Sequence, residues 1–273
     1  MAQKPNKRLA NQTAIVTGAN SGIGEAVAIG LGSDGANVVI NYISNPEAAE
    51  ELAHQLCTND ICGEAIAIKA DVSKEDQVEA MFKQTIEKFG TVDICVPNAG
   101  IQRDYKLHEM PLNEWQKVID VNLTGQFLCC KASIQEFLKR GMRLDVSKSL
   151  GKIIHMSSVH EIIPWAGHAN YAASKGAIRM LMESIAQGYG QNKIRANSIA
   201  PGAIKTEINK LAWSSQEALD KLHELIPYKR IGVPSDIGSV AAWLASDESE
   251  YINGTTIFVD GGMTCYPGFT ENG

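Results

Sequence analysis

Seven short runs of β-forming residues alternate with longer stretches of helical periodicity, and this alternation limits the possible folds more than any other feature. The runs are Thr13–Thr17, Asn37–Asn41, Ala65–Ala70, Asp93–Val96, Lys152–Met156, Arg195–Ile199 and Thr256–Val259. Several are apolar throughout, as expected of strands covered by helices on both faces. The helix after the third run has legible ends. Ser73 is placed to cap its first turn with Asp76 as the capping-box partner, Val78, Met81, Phe82, Ile86 and Phe89 form one apolar stripe, and Gly90 supplies the stop. Repeated β–α alternation predicts an α/β chain: one doubly wound, mostly parallel sheet of about seven strands with helices on both faces.

A chain of 273 residues with no internal repeat or linker is predicted to form a single domain over 12–273, preceded by a polar segment over 1–11. The polar, basic stretch Lys139–Ser149 reads as a surface loop or helix extension bearing solvated charge. A net charge of −6 without any Lys/Arg run argues against a nucleic-acid partner. The purest apolar run, Val240–Ala245, is far shorter than the ~20 residues that span a bilayer, so no membrane role is expected. The polar amino-terminal residues lack a signal peptide's apolar core, and the expected location is the cytoplasm. None of the six cysteines forms a C-x-x-C pair and no His cluster has zinc-finger spacing, so no metal is expected.

Directly after the first run comes Gly18-Ala-Asn20-Ser21-Gly22-Ile23-Gly24, opening a helix. Glycines there let the backbone turn sharply and approach a pyrophosphate, while the helix directs free N–H groups and its positive end at the anion. In a strand–turn–helix context this is a dinucleotide-binding signature and points to a Rossmann-type arrangement. Farther on, Tyr171 and Lys175 stand four residues apart at a helix start and share a face, and Ser158 lies just past the fifth run. A phenol has a pKa near 10 and is a poor base at neutral pH. Lowering that value by ~2 units takes nearly 3 kcal/mol, which a neighbouring ammonium and an oxidised nicotinamide can supply. This trio therefore suits acid–base proton transfer beside a bound dinucleotide.

The ordered motifs resemble the short-chain dehydrogenase/reductase family over nearly the whole chain. They include Thr17 to Gly24, Asp71-Val72, Asn98-Ala99-Gly100, Asn122 within Val121-Asn-Leu-Thr-Gly125, then Ser158, Tyr171, Lys175 and Pro201-Gly202. The resemblance implies an NAD(P)-dependent enzyme acting on an alcohol or carbonyl compound. By it, Gly18, Asn20, Ser21, Gly22, Ile23 and Gly24 cradle the pyrophosphate, and Asp71 and Val72 meet the adenine. Asn98, Ala99, Gly100, Pro201, Gly202, Ile204 and Thr206 border the rest of the cofactor. Tyr171 is then the acid–base, Lys175 its electrostatic partner and ribose anchor, Ser158 the ligand of the reacting oxygen, and Asn122 the holder of a relay water. Pro97 departs from the family's usual Asn. The second run ends in Asn41 and Tyr42 with neither a carboxylate nor an Arg or Lys, so NADP is expected to be accepted, with dual NAD and NADP use; Asn41 and Ser44 are the expected phosphate donors.

Two blocks, Ser157 to Trp165 and Asp260 to Phe269, resemble the bacterial glucose 1-dehydrogenase branch of the family. That implies a sugar substrate with His160 and Tyr266 lining its site, Gln102 where the branch has an acid, and Asn197 as a further contact. A His160 that only supports the site, and a Trp165 that only packs, are the plain alternatives. A fairly apolar lid over 203–228 keeps a carbonyl or 3-oxoacyl reductase using NADPH in view, and a non-catalytic cofactor sensor is the third reading. The resemblance also implies a homotetramer built through Pro111–Arg140 and Tyr171–Gln191.

Overall fold

A computed structural model describes residues 7–58 and 63–265. Its seven strands form one parallel sheet in the order β3-β2-β1-β4-β5-β6-β7. They are β1 Thr13–Val16, β2 Asn37–Tyr42, β3 Ala65–Lys69, β4 Ile94–Val96, β5 Gly151–Met156, β6 Ile194–Pro201 and β7 Thr256–Val259. The helices are α1 Gly22–Ser33, α2 Pro46–Thr58, α3 Glu75–Phe89, α4 Leu112–Ile119, α5 Gly125–Arg140, α6 Ala169–Tyr189, α7 Gln216–Glu224 and α8 Pro234–Ala245. Successive residues of one strand enter different layers. Ala14 and Val16 join a core with Val27, Leu31, Ile237 and Leu244 from α1 and α8, whereas Ile15 joins one with Met81, Phe82, Cys129 and Ile185 from α3, α5 and α6. That two-sided burial is why the strands carry little polar alternation. The sheet order reverses between β1 and β4, where doubly wound folds open a crevice at the carboxyl ends of the strands.

Several local expectations change. Ser73 does not cap α3: its hydroxyl and N–H both bond Asp71 Oδ1, at 2.7 and 3.0 Å, and the helix begins behind Lys74 without a side-chain cap. The short Asx-type turn at Asp71 outcompetes the capping box for the serine. Gly90 does end α3, in the left-handed conformation at φ 82°. The single helix expected over Pro111–Arg140 is α4 and α5 joined through a π turn at Asp120–Thr124. The amino-terminal boundary also moves, because Leu9 is fully buried in the core and Arg8 binds Asp34 and Glu248. The charge of the 139–149 stretch is solvated only in part: Lys139 and Lys148 are exposed, but Arg140 and Arg143 both pair with Asp93, and the Ser147 hydroxyl and the Lys148 backbone N–H bond Asp247. Among the described residues no helix is long and apolar enough to cross a membrane.

Candidate active site

The glycine turn lies where β1 meets α1 in the crevice. Gly18 and Gly22 both have φ of +58°, a conformation that disfavours side chains. A Cβ on Gly24 would lie 2.3 Å from the Gly18 carbonyl oxygen, and one on Gly22 would reach 3.4 Å from the Thr206 methyl across the cleft. Ser21 precedes α1 without a capping bond, so the first N–H groups of the helix are not satisfied by it. Backbone donors facing a cleft that a side chain would fill suit a pyrophosphate, and the cradle fits a dinucleotide. Thr17 latches it to the next loop, its hydroxyl accepting the N–H groups of Asn98 and Ala99 at 2.8 and 2.9 Å. Asn98 returns its amide to the carbonyls of Thr17 and Gly18, so its side chain shapes the loop. Val72 is buried where a Cβ on Gly125 would strike it, and Asp71 holds its own turn.

Asn41 has a different task from the one expected of it. It is buried, its amide donates to the Ile68 and Ala70 carbonyls at 3.3 and 3.0 Å, and its oxygen accepts the Gly18 N–H at 3.2 Å. It ties β2 to β3 and the glycine turn and has no spare donor for a phosphate. Ser44 is exposed just beyond Tyr42, and Asn20 holds the backbone there by donating to the Ser44 carbonyl at 2.8 Å.

At the carboxyl end of β5 the chain passes from Met156 through Ser157 to Ser158, facing the first turn of α6. Ser158 Oγ accepts the His160 N–H at 3.2 Å, which leaves the hydroxyl hydrogen free to donate. Burial raises the pKa of the Tyr171 phenol, and a side-chain hydrogen bond with Ser158 works against that rise. Lys175 points its ammonium at the Met156 carbonyl at 2.8 Å, 5.4 Å from the centre of the Tyr171 ring. Burial pushes the Lys175 pKa down to about 8, and the negative charge of Glu161 opposes this. The structure thus brings Ser158, Tyr171 and Lys175 together, but the protein alone raises the phenol's pKa instead of lowering it.

Asn122 lies in the π turn and is fully buried. Its amide donates to the Ile101 carbonyl at 3.0 Å and to Ser174 Oγ at 3.1 Å, and its oxygen accepts the Ile101 N–H at 2.8 Å. The side chain therefore joins the loop after β4 to α6, with both amide hydrogens spent. Pro201 ends β6, Gly202 packs against Asp260, Ile204 bridges to Gly232, and Thr206 caps the short helix Glu207–Ala212 together with Asn209.

The expected substrate contacts fare unevenly. His160 Nδ1 bonds the Ile163 carbonyl at 3.0 Å, so Nδ1 carries the hydrogen and Nε2 is the free acceptor. Gln102 is half-buried and bonds Asp104 at 2.9 Å. Asn197 is excluded: it is buried in β6 and spends its side chain on Ile252 and Thr255. Tyr266 lies outside the described residues. Trp165 stacks on His160 and on His168 with ring centres 4.2 and 3.5 Å apart, and His168 Nε2 lies 3.2 Å from Asp104. Asp104 and His168 were not singled out in the sequence. The only signal for them was proximity to Gln102 and Tyr171, since neither belongs to a spaced motif.

A family model described as enoyl-(acyl carrier protein) reductase matches residues 18–264. The chain belongs to the short-chain dehydrogenase/reductase family. Membership makes it an NAD(P)-dependent oxidoreductase acting on hydroxyl or carbonyl groups. Among its relatives, 3β-hydroxysteroid dehydrogenase 1 of Eggerthella lenta is 47% identical over 96% of this chain and 97% of that protein. Glucose 1-dehydrogenase 2 of Bacillus subtilis is 42% identical over 97% of this chain and 99% of its own length. Among solved structures of the family, a gluconate 5-dehydrogenase from Burkholderia cenocepacia in complex with NADP and tartrate superposes with a TM-score of 0.87 at 35% identity. That match covers 96% of this chain and 98% of the other.

Proposed function

We propose that this dehydrogenase oxidises a ring-borne hydroxyl, a sugar being the favoured substrate, with Tyr171 as the group that moves the proton. The observation that carries the reading is the meeting of Ser158, Tyr171 and Lys175 past the carboxyl end of β5, the same end of the parallel sheet from which the glycine turn leaves β1. A bound nicotinamide supplies the hydride acceptor, or the donor in the reverse direction. Tyr171 takes the hydroxyl proton as the alcohol is oxidised, and returns it when a carbonyl is reduced. Ser158, whose hydroxyl bonds Tyr171 before substrate arrives, donates its hydrogen to the reacting oxygen, where charge develops. Lys175, held by the Met156 carbonyl, favours the phenolate by its charge and would hold the ribose of a bound dinucleotide. Asn122 holds the backbone that carries the relay water.

A sugar is favoured by the polar rim beside Tyr171. His160 Nε2, Gln102 and the Asp104–His168 pair offer acceptors and donors for several hydroxyls, and Asp104 brings a carboxylate beside Gln102. The two imidazoles stacked on Trp165 make it a supporting wall, not a platform for the sugar ring. The second reading, an alicyclic alcohol or ketone of hydroxysteroid type, is favoured by the Eggerthella relative and by the exposed Ile162 and Trp165 near the same rim. Comparing kcat/KM for glucose and for a 3-hydroxysteroid, each with NAD and NADP, tests both. Glucose oxidation supports the first; turnover of the steroid alone replaces it with the second.

With Asn41 committed elsewhere, the phosphate of NADP is left to Ser44 and the backbone beside it, and both cofactors are accepted. A preference for NAD above about a hundredfold in kcat/KM, ~2.7 kcal/mol, overturns this. The assembly we infer is a homotetramer through α5 and α6, where Phe127 and Met180 are 47% and 60% exposed in the single chain. A monomeric sedimentation profile at assay concentration contradicts it.

A further inference from the structure

Behind Lys175, away from the reacting groups, lies a buried polar chain that the proton-transfer chemistry does not use. The Met156 carbonyl that accepts the Lys175 ammonium also accepts Nε2 of Gln126 at 3.1 Å. The other end of that amide, Oε1, lies 2.7 Å from Nδ1 of His155, and His155 Nε2 lies 3.6 Å from the Cys130 thiol. Gln126, His155 and Cys130 are 1%, 0% and 2% exposed, so none can turn to solvent for a partner.

Only one placement of hydrogens satisfies the whole chain with a neutral imidazole. The carbonyl of Met156 can only accept, so Gln126 must present its NH2 there and its oxygen to His155. His155 must then carry its hydrogen on Nδ1 and accept from the Cys130 S–H at Nε2. Turning the Gln126 amide over would set oxygen against oxygen at Met156. Protonating the imidazole would set N–H against S–H, a weaker pairing, and would bury a charge near the Lys175 ammonium. Burial, aided by that ammonium, pushes the His155 pKa down to about 3. The chain is therefore directional and neutral, with a partner for every polar side-chain atom in it, and buried networks in that condition hold their members rigidly.

We propose that Gln126 and His155 are positioning residues for Lys175, acting through the Met156 carbonyl. This rests on the reading of Tyr171 and Lys175 as the proton-transfer pair. Ser158 follows Met156 by two residues, and the Met156 N–H is itself tied to the Pro97 carbonyl at 3.3 Å, so the relay fixes the peptide from which two reacting side chains are placed. The titratable groups acting on Lys175 are Tyr171 from its own helix, Glu161 from the short Val159–Glu161 helix and, through the relay, His155 from β5. A Lys175 held less firmly stabilises the phenolate less.

Gln126→Met keeps the side-chain volume and removes both hydrogen bonds. Its kcat for alcohol oxidation should fall roughly ten- to a hundredfold, the scale of a small misplacement of reacting groups. The acid limb of its kcat/KM profile should also move to higher pH, with the dissociation constant of the nicotinamide dinucleotide unchanged within about twofold. His155→Asn, whose amide can still donate to Gln126, should restore most of the wild-type profile where His155→Phe does not. In the unmodified protein, 15N spectra of the His155 ring should report the neutral Nδ1–H tautomer down to about pH 5, a readout that needs no variant to fold. An Nε2–H tautomer, titration near the ordinary histidine value, or a Gln126→Met enzyme with an unshifted profile overturns the proposal. Lys175→Met separates the two levels. If it too keeps normal turnover, the reading of Lys175 fails; if it collapses while Gln126→Met stays normal, only the relay fails.

Discussion

The two ends of the sheet handle buried charge in opposite ways. At the amino ends of the strands, Asp93 receives Arg140, Arg143 and the Thr13 N–H, while Lys152 reaches Gln12 with Asp247 nearby. Arg195 there donates to Ser149, Leu244, Ser246 and Ser249. Apart from Arg140 Nε, the buried polar atoms of the Asp93, Arg140, Arg143, Lys152, Gln12, Asp247 and Arg195 side chains have partners. At the carboxyl ends, Ser157 Oγ and both Glu161 carboxylate oxygens are buried without a partner, and Lys175 rests on a main-chain carbonyl instead of a carboxylate. The amino end shows how this chain saturates buried charge when stability is the only demand. The carboxyl end keeps capacity unspent, which is what a site that must receive a substrate and move a proton requires.

The sharpest way to break this contrast is to mutate each end and read both stability and turnover. Asp93→Ala strands two guanidinium groups and should cost about 3–5 kcal/mol in urea unfolding, with kcat per folded molecule unchanged. Tyr171→Phe should do the reverse: kcat falls by ~10² or more while the unfolding midpoint and cofactor affinity barely move. A Tyr171→Phe enzyme with normal turnover removes Tyr171 from the role assigned to it. A smaller effect separates the two lysines from the rest of the molecule. Lys152 and Lys175 both have folded pKa values pushed down to about 8 by burial. The unfolded chain therefore binds these protons more tightly, and stability should rise with pH from about 8 towards the ordinary lysine value. Lys152→Met should be the more stable protein at pH 7.5, by on the order of 1 kcal/mol, with the gap closing by pH 10; a gap independent of pH contradicts the assignment. Gly90→Ala is the smallest test, since open space surrounds its Cβ position and only the left-handed backbone is strained. It should cost about 1 kcal/mol and leave kinetics untouched.

The sheet was legible because burial on two faces writes continuous apolar runs, and in six of the seven strands each end lies within one residue of the expected one. β6 is the exception, running on to Pro201. The glycine turn and the Ser158, Tyr171 and Lys175 set were legible because their spacing reflects a fixed local geometry: a tight turn, and one face of a helix. What was not legible depends on contacts between distant segments. Asn41 resembles a phosphate donor until the carbonyls of Ile68 and Ala70 are seen to claim it. Asn197 similarly belongs to Ile252 and Thr255. The π turn that places Asn122 leaves no mark on a helical periodicity that continues on both sides of it. The partners of Arg143 come from the residue just before β4 and the chain before β1, far from it in sequence.

In the proposed role, Tyr171 becomes an effective base only when positive charge is gathered beside it, because burial alone holds its pKa high. The direct measurement is an ultraviolet difference titration of the phenol, with Tyr171→Phe subtracted, in the free protein and with saturating oxidised dinucleotide. Ionisation in the free protein should lie above the ordinary tyrosine value, fall by ~2 units with the dinucleotide, and lose most of that fall in Lys175→Met. An ionisation that stays in place when the dinucleotide binds would contradict the account.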